Sequence, residues 1–344
     1  MCDKRYSVVK IIINTFEVFH VKGDYIFNMV FAEFASIGLH LNIIHDMTSS
    51  STKSIRLGTW FAHAVFACLG VFPLSFLRSL GTGAGWLLWA LPGGYKRRAI
   101  LNIAIAFPEL SETERQHMAR ESMQHVCQMF LEMPYWWRDW SSERVAAHTQ
   151  PIDWALADQL LAKGKGLILI SPHLGSYELL GSLFSARHPS TVLFKPPRVA
   201  WLRDFIKSLR TSDQLKVVPA DASGVRALVK TLLRGQTAGL LPDQVPVMGE
   251  GEWAPFFGQD AYTMRLVHRL QTLTGAPVIM LCVVRQPGET LCKMEYWEVP
   301  TPWPEDPIAA LTLMNQNIER AIRLAPMQYL WGYNRYRKPN QRKT

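Results

Sequence analysis

The chain has 344 residues, a formal charge of +9, 48% hydrophobic residues and 19% charged residues. That is enough apolar material for a sizeable core, and it excludes a disordered, collagen-like or coiled-coil chain. A polytopic membrane protein would be more apolar still. Twelve Trp in a basic chain point to a surface that meets lipid or an acidic partner; the plainer reading is a solvated basic exterior. Cys2, Cys68, Cys127, Cys282 and Cys292 form no C-x-x-C pair and no zinc spacing, so they read as reduced, mostly buried thiols on the cytosolic side of a membrane.

Residues 1–46 alternate apolar and polar residues without helix caps and do not read as a signal peptide. Met47 precedes Thr48-Ser49-Ser50-Ser51-Thr52-Lys53, an ordinary soluble N-terminus. The expectation is that Met47 is the native start and that 1–46 is a non-native or disordered extension. Leu57–Leu77 then runs 21 residues without a charge, flanked by Arg56 and Arg78. A second uncharged run, Ser79–Tyr95, carries Trp86 and Trp89 and ends in Lys96-Arg97-Arg98. Residues 47–100 therefore read as a membrane-associated helical region. Either one helix spans the bilayer, or two helices lie in one leaflet with basic anchors.

Ser111-Glu112-Thr113-Glu114 is a capping-box start. It opens an amphipathic helix over 110–140, with Met118, Ser122, His125, Met129 and Glu132 at helical spacing. From about residue 150 the pattern changes. Gly166–Ser171 is a continuous apolar run, as in a strand buried on both faces. A helix over Leu179–Arg187, a strand over Thr191–Lys195 and a basic helix over Arg198–Arg210 follow. Next come a strand over Leu215–Pro219, a helix over Ser223–Arg234 and a strand over Thr237–Leu241. Tyr262–Thr274 reads as helix, Pro277–Arg285 and Leu291–Val299 as paired strands, and 305–325 as a last helix. Alternating strand and helix define an α/β fold: a mixed, largely parallel sheet flanked by helices. Ligands in such sheets bind beyond the carboxyl ends of the strands.

The first strand ends in Ser171-Pro172-His173-Leu174-Gly175-Ser176-Tyr177-Glu178. Five residues on one regular helix turn about 500°, so His173 and Glu178 meet only if His173 lies in the turn and Glu178 opens the helix. Pro172 and Gly175 supply such a bend. A carboxylate on one imidazole nitrogen fixes the tautomer and leaves the other as a general base. Taken alone, a histidine in a turn is more often structural.

H-x-x-x-x-[DE] after a buried strand is the signature of the glycerolipid acyltransferase superfamily. Pro172–Leu179 resembles its Glu branch, the late acyltransferases of lipid A biosynthesis (lauroyl and myristoyl transferases). Further blocks are similar in order and spacing: Phe107-Pro108-Glu109-Leu110-Ser111, Leu241-Pro242-Asp243-Gln244, Pro255-Phe256-Phe257-Gly258 with Ala261 and Thr263, Gly275-Ala276-Pro277-Val278, and Pro326–Trp331 followed by Arg335 and Arg337. The resemblance covers most of residues 57–338 and makes 101–338 an acyltransferase domain. Lys195-Pro196-Pro197 and Thr211-Ser212-Asp213-Gln214 depart from the family's wording and bear on acceptor identity.

The resemblance implies transfer of an acyl group from an acyl carrier protein thioester to a hydroxyl of a lipid A precursor, at the cytoplasmic face of the inner membrane. His173 would be the base and Glu178 its orienting acid, with no acyl-enzyme and no cofactor. Arg210 stands where the family keeps a functional arginine, for a phosphate or the oxyanion; the plain reading is a helix-terminal surface residue. Asp243 and Gln244 follow a strand end and would shape the site, or cap a turn. Phe256 and Phe257 would line the acyl pocket, or simply be core. Arg198, Arg203, Lys207 and Arg210, with Arg226, Lys230 and Arg234, make two basic helices suited to anionic lipid or an acidic carrier protein. Nucleic acid is disfavoured because no recognition motif appears, and no metal or phosphate-loop pattern is present. The rival readings are the same chemistry on another lipid acceptor (a lysophospholipid, an aminolipid or a mannosylated inositol lipid) and a catalytically silent membrane-bound homologue.

Overall fold

In a computed structural model of the protein, the structure describes residues 64–138, 142–195, 213–288 and 291–341. The expected extension 1–46 and the basic helix over Arg198–Arg210 lie outside the described residues. So does the start of the first uncharged run.

The uncharged runs do not coincide with helices. Helical residues 64–69 stop at Gly70, and Pro73 caps a new helix, α1, over Leu74–Ala90. Proline lacks an N–H to continue the first helix and disfavours helical geometry in the residue before it, so the break falls at Pro73 rather than at the charge of Arg78. Among the described residues no helix is long and apolar enough to cross a membrane.

Helix α2 (Gly94–Ala106) follows, then α3 (Glu112–Arg138). The capping box forms as expected: Ser111 N donates to Glu114 Oε2 at 2.7 Å, and Glu114 N to Ser111 Oγ at 3.3 Å. The face holding Met118, Ser122, Met129 and Glu132 is buried. Helix α1 lies hard against α3: a Cβ on Gly81 or Gly85 would meet α3 backbone at 2.6 and 2.4 Å.

Short helices α4 (Ser142–Ala147) and α5 (Ala155–Leu161) lead into the core. Its strands are β1 (Leu167–Ile170), β2 (Ser190–Phe194), β3 (Leu215–Pro219), β4 (Thr237–Leu240), β7 (Val278–Arg285) and β8 (Cys292–Glu298). They form one sheet in the order β3-β2-β4-β1-β7-β8, parallel throughout except for the antiparallel edge strand β8. Helices α6 (Leu179–Ser185) and α7 (Ala222–Leu233) cross between strands, and β1 and β7 are buried along their whole length. This is the expected mixed, largely parallel α/β sheet.

The stretch read as a helix from Tyr262 is divided. Gly251–Phe256 (β5) and Gln259–Met264 (β6) form a hairpin, and helix α8 covers only Leu266–Thr274. Phe257 and Gly258 both have positive φ, 49° and 74°, which is the two-residue turn that antiparallel strands require. Helix α9 (Pro307–Leu324) packs on the hairpin, and Asn315 Nδ2 donates to Pro255 O at 2.8 Å.

Candidate active site

Strand register builds the site. Ile170 ends β1 opposite Leu240, which ends β4. His173 and Asp243 each lie three residues beyond those partners, so two neighbouring strands deliver them to the same edge. The turn that carries His173 is held on both sides. Leu330 N donates to His173 O at 3.2 Å, Gly175 N to Gln328 O at 3.1 Å and Ser176 N to Val283 O at 2.8 Å. Gly175 has φ 62°, and a Cβ there would sit 2.1 Å from Val283 O, so no larger residue fits.

Asp243 grips His173 twice. Its Oδ1 lies 2.7 Å from His173 Nδ1, and its Oδ2 accepts the His173 backbone N–H at 2.9 Å. The carboxylate therefore places a proton on Nδ1 and leaves the Nε2 lone pair free to accept; Gln244 Nε2 stands 3.2 Å from it. Burial alone would raise the Asp243 carboxyl, but the imidazole, the backbone N–H and the charge of Arg335 hold it below the usual carboxylate range. Burial, and then the charge of Asp243, push the Tyr329 phenol well above its ordinary value, so it stays a neutral donor toward that carboxylate. The His173 side chain is 13% exposed against 3% for Asp243, so the imidazole is reachable while its partner is sealed.

The family resemblance implies Glu178 as the orienting acid. The structure sets Asp243 against the imidazole, because adjacent parallel strands bring it alongside His173, and Glu178 stands at the start of α6. Glu178 lines a cleft of about 120 Å³. Leu169, Phe184, Val192, Leu215 and Leu241 contribute to its largely apolar wall, and Ser171, Tyr177, Glu178 and Ser190 are its polar side chains. Tyr177 joins cleft and imidazole: its ring packs edge-on against His173, with centroids 5.0 Å apart.

Of the other expected residues, Asp243 and Gln244 both reach the imidazole. Phe256 and Phe257 do not line this cleft. Phe257 packs with Phe107 and Trp331, and Phe256 with Tyr336, because the hairpin turn aims both rings into an aromatic cluster. Arg210 lies outside the described residues. Arg226, Lys230 and Arg234 are exposed along and just beyond α7, as a basic surface requires. Among the described residues no cluster of His, Cys, Asp and Glu could hold a metal. Sequence reasoning passed over Tyr177, Ser176 and Glu132. A carboxylate on the apolar stripe of α3 was the available signal for the last.

A parallel sheet thus delivers a carboxylate-bound histidine, joined through Tyr177 to a largely apolar cleft. The model of the bacterial lipid A biosynthesis acyltransferases matches residues 46–338, and the chain belongs to that family. It is 25% identical over 287 residues to the lipid A biosynthesis lauroyltransferase of Escherichia coli K12, covering 81% of this chain and 91% of that one. The palmitoleoyltransferase of the same organism is 26% identical over 286 residues, covering 81% and 90%. A lipid A biosynthesis acyltransferase of Haemophilus influenzae is 24% identical over 302 residues, covering 83% and 92%.

Proposed function

We propose that this protein transfers a fatty acyl group from an acyl carrier protein thioester to a hydroxyl of a lipid A precursor. The observation that carries the reading is the His173–Asp243 pair at the sheet edge, next to an apolar cleft, in a chain of this family. The acceptor hydroxyl displaces Gln244 at Nε2 and gives its proton to His173 as its oxygen attacks the thioester carbonyl. The C–S bond breaks, and the imidazolium returns the proton to the departing thiolate. No acyl-enzyme is needed. Asp243 holds the ring and stabilises its charged form. The cleft takes the acyl chain. Glu178, on the cleft wall beside Tyr177, serves the substrate rather than the ring. Arg210 is assigned, on the family resemblance, to a phosphate or the oxyanion.

The same reading places the protein on the cytoplasmic face of the inner membrane. Phe72, Phe76, Leu80, Leu87 and Leu91 are exposed along one side of α1 and its ends, while Leu77, Arg78, Gly81, Gly85 and Leu88 are buried on the other. An apolar outer face followed by Lys96 and Arg97 fits a helix lying in a leaflet.

The test is incubation of the purified protein with acyl carrier protein thioesters of mixed chain length and with lipid A precursors or lysophospholipid, read by mass spectrometry. An acylated lipid A precursor is expected, and His173→Ala should lower the rate by about 10²–10⁴. Transfer only to lysophospholipid would move the acceptor. No transfer, or transfer untouched in His173→Ala, would overturn the reading.

A further inference from the structure

A second charged cluster lies behind the catalytic turn. Glu132, on α3, has a side chain 1% exposed, and Arg285, at the end of β7, one 4% exposed. Glu132 Oε1 accepts from Arg78 Nε at 3.0 Å and pairs with Arg285 Nη1 at 3.5 Å. Its Oε2 accepts from Trp136 Nε1 at 3.2 Å and from Ser176 Oγ at 3.0 Å. Ser176 Oγ in turn accepts from Arg285 Nη1 at 3.0 Å. Ser176 is three residues beyond His173, in the same turn.

Arg285 is fastened as well. Its Nη2 donates to His125 O at 3.0 Å, and its backbone N and O bond the Gln328 side chain at 3.0 and 2.9 Å. Gln328 O receives the Gly175 N–H. The turn is thus fixed at Gly175 through the backbone and at Ser176 through a side chain, and both lines run to Arg285.

Burying three charges, Glu132, Arg285 and Arg78, costs desolvation that apolar side chains of equal volume avoid, so stability alone does not account for the cluster. A device that fixes the location of the turn does. An error of about 1 Å in a catalytic group costs on the order of 10² in rate. We infer that Glu132 is a positioning residue for the reaction: with Arg285 it clamps Ser176 Oγ and so sets the turn on which His173 stands. This rests on the reading of His173 as the base.

The experiment is a cycle of Ser176→Ala, Glu132→Gln and the double variant, with His173→Ala alongside. For each, kcat, KM for donor and acceptor, and Tm are measured on the full chain. Ser176→Ala removes one buried hydroxyl and should lower kcat about 10- to 100-fold, with KM within about twofold and Tm within about 4 °C. If Glu132 acts through Ser176, the double variant should lose no more kcat than Glu132→Gln alone. A role in the fold only would lower Tm and leave kcat per folded molecule intact. Should Glu132→Gln fail to fold, Arg285→Lys, which keeps the charge but not the forked donor, takes its place in the cycle. Wild-type kcat in Ser176→Ala, or losses in kcat that multiply, would overturn the inference. His173→Ala separates the two levels: if it also leaves transfer unchanged, the base assignment itself has failed.

Discussion

His173 Nδ1 stands 2.7 Å from Asp243 Oδ1, and the other oxygen of the same carboxylate holds the His173 backbone N–H at 2.9 Å. One acid thus fixes both the ring and the chain that carries it. Asp243→Asn keeps the shape but can turn an amide N–H toward Nδ1, which drives the proton to Nε2 and removes the base. The expected result is a fall in kcat of about 10²–10⁴ with KM for the acceptor nearly unchanged. Glu178→Gln should instead act chiefly on KM, since Glu178 lines the cleft. Steady-state kinetics on both variants check this, and a larger kcat loss in Glu178→Gln would reverse the two roles.

Acyl chain length should be set in the cleft at Gly181. Gly181 and Leu215 both line it, and a Cβ on Gly181 would meet Leu215 Cδ2 at 3.0 Å. A methyl end can yield to one carbon but not to a branched side chain. Gly181→Val therefore shortens the slot. At about 0.8 kcal/mol per buried methylene, preference should move by about tenfold toward a chain two carbons shorter. Competition between thioesters of different length, read by mass spectrometry, measures this. An unchanged product distribution would place the acyl chain elsewhere.

The outer face of α1 makes a separate prediction. Leu80 is 44% exposed and Leu87 52%, and they stand two turns apart on the same side. Neither supports the core, so Leu80→Glu and Leu87→Glu should leave Tm nearly unchanged. Each withdraws a side chain worth about 1.5–3 kcal/mol when buried, so binding to phosphatidylethanolamine/phosphatidylglycerol vesicles should weaken about tenfold or more per substitution. Flotation at equal protein concentration is the readout. Equal flotation of wild type and double variant would remove this face from the membrane contact.

What was legible in the sequence was local. The run Gly166–Ser171 announces β1 because a strand covered on both faces is apolar at every position. Ser111 and Glu114 announce the start of α3 because they satisfy each other's backbone donors. The His173 turn was legible for the same reason. Its acid was not, because Asp243 is 70 residues away and reaches His173 only through the pairing of β1 with β4. Glu178, five residues on, is the acid that the H-x-x-x-x-[DE] signature and the bend at Pro172 and Gly175 point to. The hairpin of β5 and β6 was hidden because Phe257 is a poor-looking turn residue; its positive φ is sustained by a tertiary contact, Phe257 N donating to Glu319 Oε1 at 2.7 Å. Glu132 showed helical spacing but not its distant partners, which come from α1, the His173 turn and β7.

The buried cluster also makes stability depend on pH through His125. Its Nδ1–H faces Gln128 Oε1 at 2.9 Å, and desolvation together with the charges of Arg285 and Arg78 lowers it from 6.5 to about 3. In the folded chain the ring stays neutral at pH 5, whereas the unfolded chain takes up a proton near 6.5. The unfolded state therefore binds more protons between those values. The contribution is complete above about 6.5 and is lost as pH falls toward 3, at up to about 1.4 kcal/mol per pH unit. Between pH 7 and pH 5 this amounts to about 2 kcal/mol. His125→Gln retains a polar side chain beside Gln128 without the titration, so its unfolding free energy should fall by about that much less over the same interval. Urea unfolding of both proteins at pH 7, 6 and 5 supplies the comparison, and parallel pH dependences in the two would show that His125 is not the group responsible.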